Sequence, residues 1–357
     1  MTEQAKSLFL NNKEISFDEI KAGKFLGEST FEQSTLTFCR LWLNKQTSFN
    51  LQTSGSTGAP KTITVSRQQM LLSARQTINY FNLSPTDRIL VCLNTAYIAG
   101  ILMLVRAFEA KAQIVAVEPS GNPLQNIIGP IDFIALAPMQ LEQILNNPAS
   151  KNLLHKCRAA IVGGAPVSFA LQEKIKGTSA AIYATFGMTE TLTHFALKQL
   201  SPQKEDYFTA FAGVNLAQDE RGCLTVTSPV TGQKTLITND RVEILSANKF
   251  NWLGRIDNVI NSGGIKHQIE DLERKVEQAF LSLGINNRFF IYAMADEILG
   301  EKIMLVVEGD KEISALRHIN WPDYFTQFEK PKGITYCKQF VETPTGKIIR
   351  AKTVAGH

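Results

Sequence analysis

The sequence predicts an α/β chain. A large N-terminal domain is built on a mainly parallel βαβ sheet with a small β-barrel-like unit, and a small α+β domain follows. Three observations predict this. In the first half, short β-rich apolar runs alternate with helical patterns, the signature of βαβ units. Between residues 208 and 253 the helical patterns stop, and short strands succeed one another with turn residues between them. From about Asp257 a compact mixed pattern takes over, which sets the domains at 1–256 and 257–357.

The elements follow in order. Residues 70–81 (MLLSARQTINYF) space their apolar positions for one face of a helix, and 88–93 (RILVCL) read as a buried strand. Residues 101–108 are helix-like, 113–117 (QIVAV) and 131–136 (IDFIAL) are strands, 139–145 a helix, and 159–164 (AAIVGG) a strand ending in glycines. The barrel-like unit takes its strands from 223–227, 235–238 and 241–245. Beyond it, a helix at 269–280 precedes strands at 288–294 and 302–308.

Composition narrows the function classes. The 357 residues are 44% hydrophobic, ample for a large core, and at ~150 residues per domain the length fits about two domains. The net charge is only +4. Residues 1–256 carry 24 basic and 19 acidic residues and the rest 13 and 14, so no basic face points to nucleic acid. Five scattered cysteines offer neither a disulfide framework nor a CxxC metal site, which suits a reducing compartment. His155, His267 and His318 lack zinc-ligand spacing. The first residues show no secretory pattern. The longest uncharged apolar stretch, 89–105 between Arg88 and Arg106, falls short of the ~20 residues a spanning helix needs. A cytoplasmic protein without membrane insertion is expected.

Four segments carry chemistry. In LQTSGSTGAPK, the hydroxyls and glycines of Thr53, Ser54, Gly55, Ser56, Thr57 and Gly58 can point donors at one anion, with Lys61 adding positive charge. It is not a Walker A loop, because Ala-Pro separates Gly58 from Lys61; the bland alternative is a flexible turn. In YATFGMTETLTH, Phe186 can lie against a purine, while Thr189 and Glu190 offer oxygens to a phosphate-bound Mg²⁺; otherwise this is a capped helix start. In GRIDNVINSGGIKHQIEDLE, Arg255 and Asp257 bracket the domain boundary and Gly263-Gly264 lead into a helix; otherwise they form a surface pair of little energetic value. TPTGKIIR, ending in Arg350, is by itself a solvated turn.

In this order, however, the four segments resemble the core motifs of the acyl-adenylate-forming superfamily: acyl-CoA synthetases, firefly luciferase and peptide-synthetase adenylation domains. The resemblance runs from about Thr53 to Arg350. Within the superfamily the chain is most similar to the o-succinylbenzoate–CoA ligases of menaquinone biosynthesis, in shortened form. Supporting stretches are 96–106, 162–166, 187–194 and 257–264. The sequence departs from the common pattern at Asn239 (usually glycine), at Asn261 (often lysine) and at Tyr97, where many relatives place a histidine facing the acyl pocket.

The resemblance implies an ATP-dependent acid–CoA ligase that uses ATP, Mg²⁺ and CoA with a small-molecule carboxylic acid. Thr53 to Gly58 and Lys61 would hold phosphates, with Gly164, Ala165, Pro166, Phe186, Gly187, Met188 and Thr189 completing the ATP site. Glu190 would bind Mg²⁺, Asp240 the ribose hydroxyls, and Arg255 ribose or phosphate. Lys347 would drive adenylation, because attack of one anion on another builds negative charge that a cation offsets. Asp257 would be the hinge of a mobile C-terminal domain, and Gly263-Gly264 would face CoA in the second half-reaction. Tyr97, Gly163, Gly164, Thr193 and His194 would line the acid pocket, His194 being equally readable as an ordinary buried imidazole. Shortening at the N-terminal side would favour a homo-oligomer. Two alternatives remain: adenylation of another aryl or acyl acid, with a carrier protein as a further acceptor, and a catalytically silent nucleotide-binding relative.

Overall fold

The computed structural model describes residues 5–52, 62–310, 312–342 and 348–356. Among them a sheet of 13 strands forms the spine. Its order is Asn215–Gln218, Cys223–Thr227, Thr235–Ser246, Lys249–Arg255, Phe208–Ala210, His194–Ser201, Ala181–Gly187, Ala159–Val162, Phe133–Leu136, Arg88–Val91, Gln113–Ala116, Ser7–Leu10 and Lys13–Ser16. From Ser7–Leu10 to Ala181–Gly187 the neighbours run parallel. Phe133–Leu136 and Ala159–Val162 are buried at every position, which is why they read as unbroken apolar runs rather than alternating ones.

Helices cover this half. Ser16 and Ser66 each form a capping box, with Glu19 and Gln69, so the predicted helix at 70–81 starts earlier and spans Arg67–Phe81. Helix Ile98–Ala110 is buried over most of its surface, Arg106 included. None of the helices is long and apolar enough to cross a membrane among the described residues.

The strands of the expected barrel-like unit are antiparallel, but they are not separate. They continue the same ladder through Ala181–Gly187 and His194–Ser201. The predicted strands at 235–238 and 241–245 are one strand, Thr235–Ser246, with its irregularity between Arg241 and Val242. Asn239 and Asp240 do not break it, because Asn239 bonds Asp257 and Asp240 accepts from Trp252.

A second sheet holds Ile265–Gln268, Val259–Ser262, Gly300–Glu308 and Phe289–Asp296, with Gly333–Cys337 parallel to Gly300–Glu308. Helix Ile269–Ser282 packs on it through Leu272, Val276 and Phe280, forming a core distinct from that of the large sheet. The double glycine leads into a strand, not directly into the helix. Gly263 and Gly264, with φ of 60° and 80°, close a two-residue hairpin turn, and both conformations favour glycine. Between the two bodies, Glu277 on this helix accepts the Phe169 and Ala170 backbone N–H groups at 2.7 and 3.1 Å.

Candidate active site

Two loops leave the carboxyl ends of adjacent parallel strands, where open α/β sheets bind ligands. Residues 163–166 follow Ala159–Val162, and Gly163 is anchored by its N–H on the Leu136 carbonyl at 3.0 Å. Gly164, Ala165 and Pro166 are exposed. Next to it, strand Ala181–Gly187 carries Phe186 and Gly187 to its end, and a 3₁₀ turn at Thr189–Thr191 follows. Thr191 fixes that turn, its hydroxyl oxygen accepting the Met188 N–H at 3.0 Å. Thr189 and Glu190 stand exposed on it. Only glycine fits at 187: a Cβ there would lie 2.3 Å from the Thr193 carbonyl oxygen. The Phe186 ring, expected to face a purine, is half-buried and already packs on Phe195, Phe208 and Phe250 at 5.2–5.6 Å.

A second cluster joins Asp240, Arg255 and Asp257. Arg255 donates to Asp257 through Nε and Nη2 at 2.9 and 2.7 Å, and its Nη1 is 4.0 Å from Asp240 Oδ2. The Arg255 guanidinium holds the Asp257 carboxyl below its ordinary value. Asp240 moves the other way, raised by burial even though Trp252 Nε1 donates to Oδ1 at 2.9 Å. Asn239 donates to Asp257 Oδ2 at 3.1 Å and so braces the expected hinge residue. Among the described residues no hydrogen bond or ion pair joins this cluster to the 186–190 turn, and Gly263-Gly264 lie apart on the second sheet.

The third group is buried. His194 is a core imidazole whose Nε2 meets the Thr77 hydroxyl, a side-chain partner rather than a backbone one, at 3.3 Å. Arg106 Nε also donates to Thr77 Oγ1, at 3.2 Å, and Nη2 donates to Thr193 Oγ1 at 3.2 Å. Ser73 and Thr193 share a 3.0 Å hydroxyl contact. Arg106 is 2% exposed and has no carboxylate partner among the described residues. Burial pushes its guanidinium down to about 9, still a cation at neutral pH. Burial and then the Arg106 charge hold His194 well below the usual imidazole value, so it is neutral. Tyr97 sits at the other end of helix Ile98–Ala110, nine residues and ~13 Å of axis from Arg106.

Thr53 to Gly58, Lys61 and Lys347 lie outside the described residues. Three contributors escaped the sequence reading: Ser73, Thr77 and Arg106. The signal for Arg106 was present, a lone cation inside a run of apolar helix; Ser73 and Thr77 share a helix face at i, i+4 spacing. Among the described residues no group of three or more His, Cys, Asp or Glu could hold a metal ion. Exposed Glu190 instead offers one carboxylate, which fits Mg²⁺, since that ion is typically held by one or two carboxylates plus substrate phosphates and water.

A parallel sheet with an antiparallel wing, a second small α+β body, and acidic side chains beside strand-end loops define a nucleotide-using enzyme class. The model of the AMP-binding enzyme family matches residues 27–247. The chain belongs to that family, in the class of AMP-forming acid–CoA ligases. Its structure is similar to that of an acyl-CoA synthetase (AMP-forming)/AMP-acid ligase II-like protein from Dyadobacter fermentans. That match has 38% identity and a TM-score of 0.63, over 94% of this chain and 97% of the other. The 2-succinylbenzoate–CoA ligase of Escherichia coli (strain K12) is 24% identical over 85% of this chain and 70% of that one. The fold is also that of o-succinylbenzoate coenzyme A synthetase from Bacillus subtilis, solved with ATP and magnesium: TM-score 0.71, 18% identity, 85% of this chain and 69% of that one.

Proposed function

We propose that the chain joins a carboxylic acid bearing a second anionic group, of the o-succinylbenzoate type, to CoA through an acyl-adenylate. One observation carries the acid class: Arg106 is a buried cation with no counter-charge among the described residues. Three of its N–H donors are engaged, one of them only by the Met103 thioether at 3.5 Å, and the other two have no acceptor among the described residues. A buried guanidinium in that state is costly unless something anionic arrives. The relatives that act on 2-succinylbenzoate support the same class.

In the first step a carboxylate oxygen attacks the α-phosphorus of ATP, and pyrophosphate leaves. Glu190 would hold the Mg²⁺ that spreads the phosphate charge. Asp240, with Oδ1 taken by Trp252, keeps Oδ2 for ribose hydroxyls, and Arg255 lies beside it. In the second step the CoA sulfur attacks the acyl carbon, the thiol proton is lost, and AMP leaves. The two steps would share one site by turning the second body about Asp257, with Lys347 serving the first and Gly263-Gly264 the second.

Pyrophosphate release over a panel of acids tests the reading, followed by thioester formation with and without CoA. An acid with two carboxylates should exceed its monocarboxylate analogue by about tenfold or more in kcat/KM, the worth of one charge-assisted hydrogen bond. Equal rates would refute the acid class, and product formed only with a carrier protein would refute the acceptor.

A further inference from the structure

Thr77 stands between the buried Arg106 guanidinium and the buried His194 imidazole. A threonine hydroxyl has one proton and two acceptor sites. Its oxygen accepts Arg106 Nε–H at 3.2 Å, so its own proton is free to reach His194 Nε2 at 3.3 Å. That arrangement satisfies both the Thr77 hydroxyl and Nε2 only when Nε2 is the bare nitrogen and the imidazole proton is on Nδ1. The opposite tautomer would give Thr77 two donors and leave its O–H without an acceptor in a site where Thr77 is 0% exposed.

The same contact fixes the guanidinium. Thr77 holds the Nε edge, while Thr193 holds Nη2 from the side of the half-buried turn. The planar fork is thus pinned by two hydroxyls from different elements, with Met103 Sδ at 3.5 Å from Nη1. Ser73, one turn before Thr77 on the helix, secures Thr193 in place.

We propose that Thr77 is a specificity-determining positioning residue: it aims the Arg106 fork at the second anionic group of the acid and locks His194 as a neutral acceptor. This rests on the reading of Arg106 as the anion-binding group. Thr77 is 0% exposed, so its effect on the acid runs through Arg106 and His194.

The test compares wild type, Thr77→Val and Thr77→Ser with o-succinylbenzoate and with an analogue lacking one carboxylate. Valine keeps the shape and removes the hydroxyl. KM for the dicarboxylate should rise about tenfold or more in Thr77→Val, with KM for ATP and kcat at saturating acid within about twofold, because a charge-assisted hydrogen bond is lost from binding. KM for the analogue should hardly move, and Thr77→Ser should recover most of the loss. Equal effects on both acids, or serine behaving like valine, would reduce Thr77 to packing and overturn the proposal. So would an unchanged KM. A fold control is the thermal shift induced by ATP, which should survive in both variants; its loss would also count against a role confined to the acid. If wild type itself fails to prefer the dicarboxylate, the Arg106 reading fails instead, and the two failures are told apart.

Discussion

Replacing Arg106 by methionine should make the protein more stable and worse at its chemistry. Burial lowers the guanidinium to about 9; at 1.36 kcal/mol per pH unit that shift is on the order of 5 kcal/mol of charge-burial cost at neutral pH. Against this, Thr77 and Thr193 lose a donor each, about 1 kcal/mol apiece, and the shorter side chain leaves a void worth about 1 kcal/mol more. The balance is a stabilisation of about 2 kcal/mol. At 2–4 °C per kcal/mol for a core of this size, Tm should rise by roughly 4–8 °C. Calorimetry of the ligand-free proteins at pH 7 reads this directly. The folded-state value lies below the unfolded one, so the unfolded chain holds more protons from about pH 9 up to the ordinary guanidinium range. Wild-type stability from this group therefore rises with pH through that window, and the gap to Arg106→Met closes above about 9. Meanwhile KM for a dicarboxylic acid should rise by about tenfold to a hundredfold. A less stable Arg106→Met with an unchanged KM would refute the idea that this cation is kept for an incoming anion.

Three further outcomes are expected. His194 titrates lower in the folded chain than unfolded, so its neutral burial contributes stability above about pH 6.5 that is lost as pH falls; His194→Phe should flatten acid unfolding between pH 6.5 and 5. Glu277→Ala should speed amide exchange at Phe169 and Ala170 by about tenfold or more, since a hydrogen bond to a carboxylate is worth about 1.5–3 kcal/mol; unchanged exchange would mean the contact is not populated in solution. Gly187→Ala should cost about 3 kcal/mol in denaturant unfolding, because the added methyl meets backbone at 2.3–2.8 Å, and should weaken acid binding through displaced Thr193 and His194.

The sequence made the spine legible because period and length are local properties. Four of the parallel strands are legible to within about two residues, whereas Ser7–Leu10 and Ala181–Gly187 are not; the helix at 67–81 differs only at its start, where the Ser66–Gln69 capping box lies before the first apolar position. The long strand of the wing, Thr235–Ser246, reads as two because Asn239-Asp240 looks like a turn. Their side chains instead find partners on Asp257 and Trp252. Residues 186–194 can be read as a candidate site because their members are neighbours in the chain. The Arg106 network was not, since Ser73, Thr77, Arg106 and Thr193 come from two helices and a turn, and only packing brings them together. Burial also changes what each residue means. An arginine ending an apolar stretch looked like a flank, and proved to lie inside the core.

The joint beside Asp257 has a mechanical consequence. Gln268, on the second sheet, spends its amide nitrogen on the Arg255 carbonyl at 2.7 Å, the Asn258 carbonyl at 3.2 Å and Glu270 at 2.6 Å. It therefore ties the last strand of the large sheet to the first residues beyond it. If the second body turns about Asp257 as proposed, the swing breaks the Arg255 tether and leaves that amide in need of another partner, so the contact acts as a detent that resists small rotations.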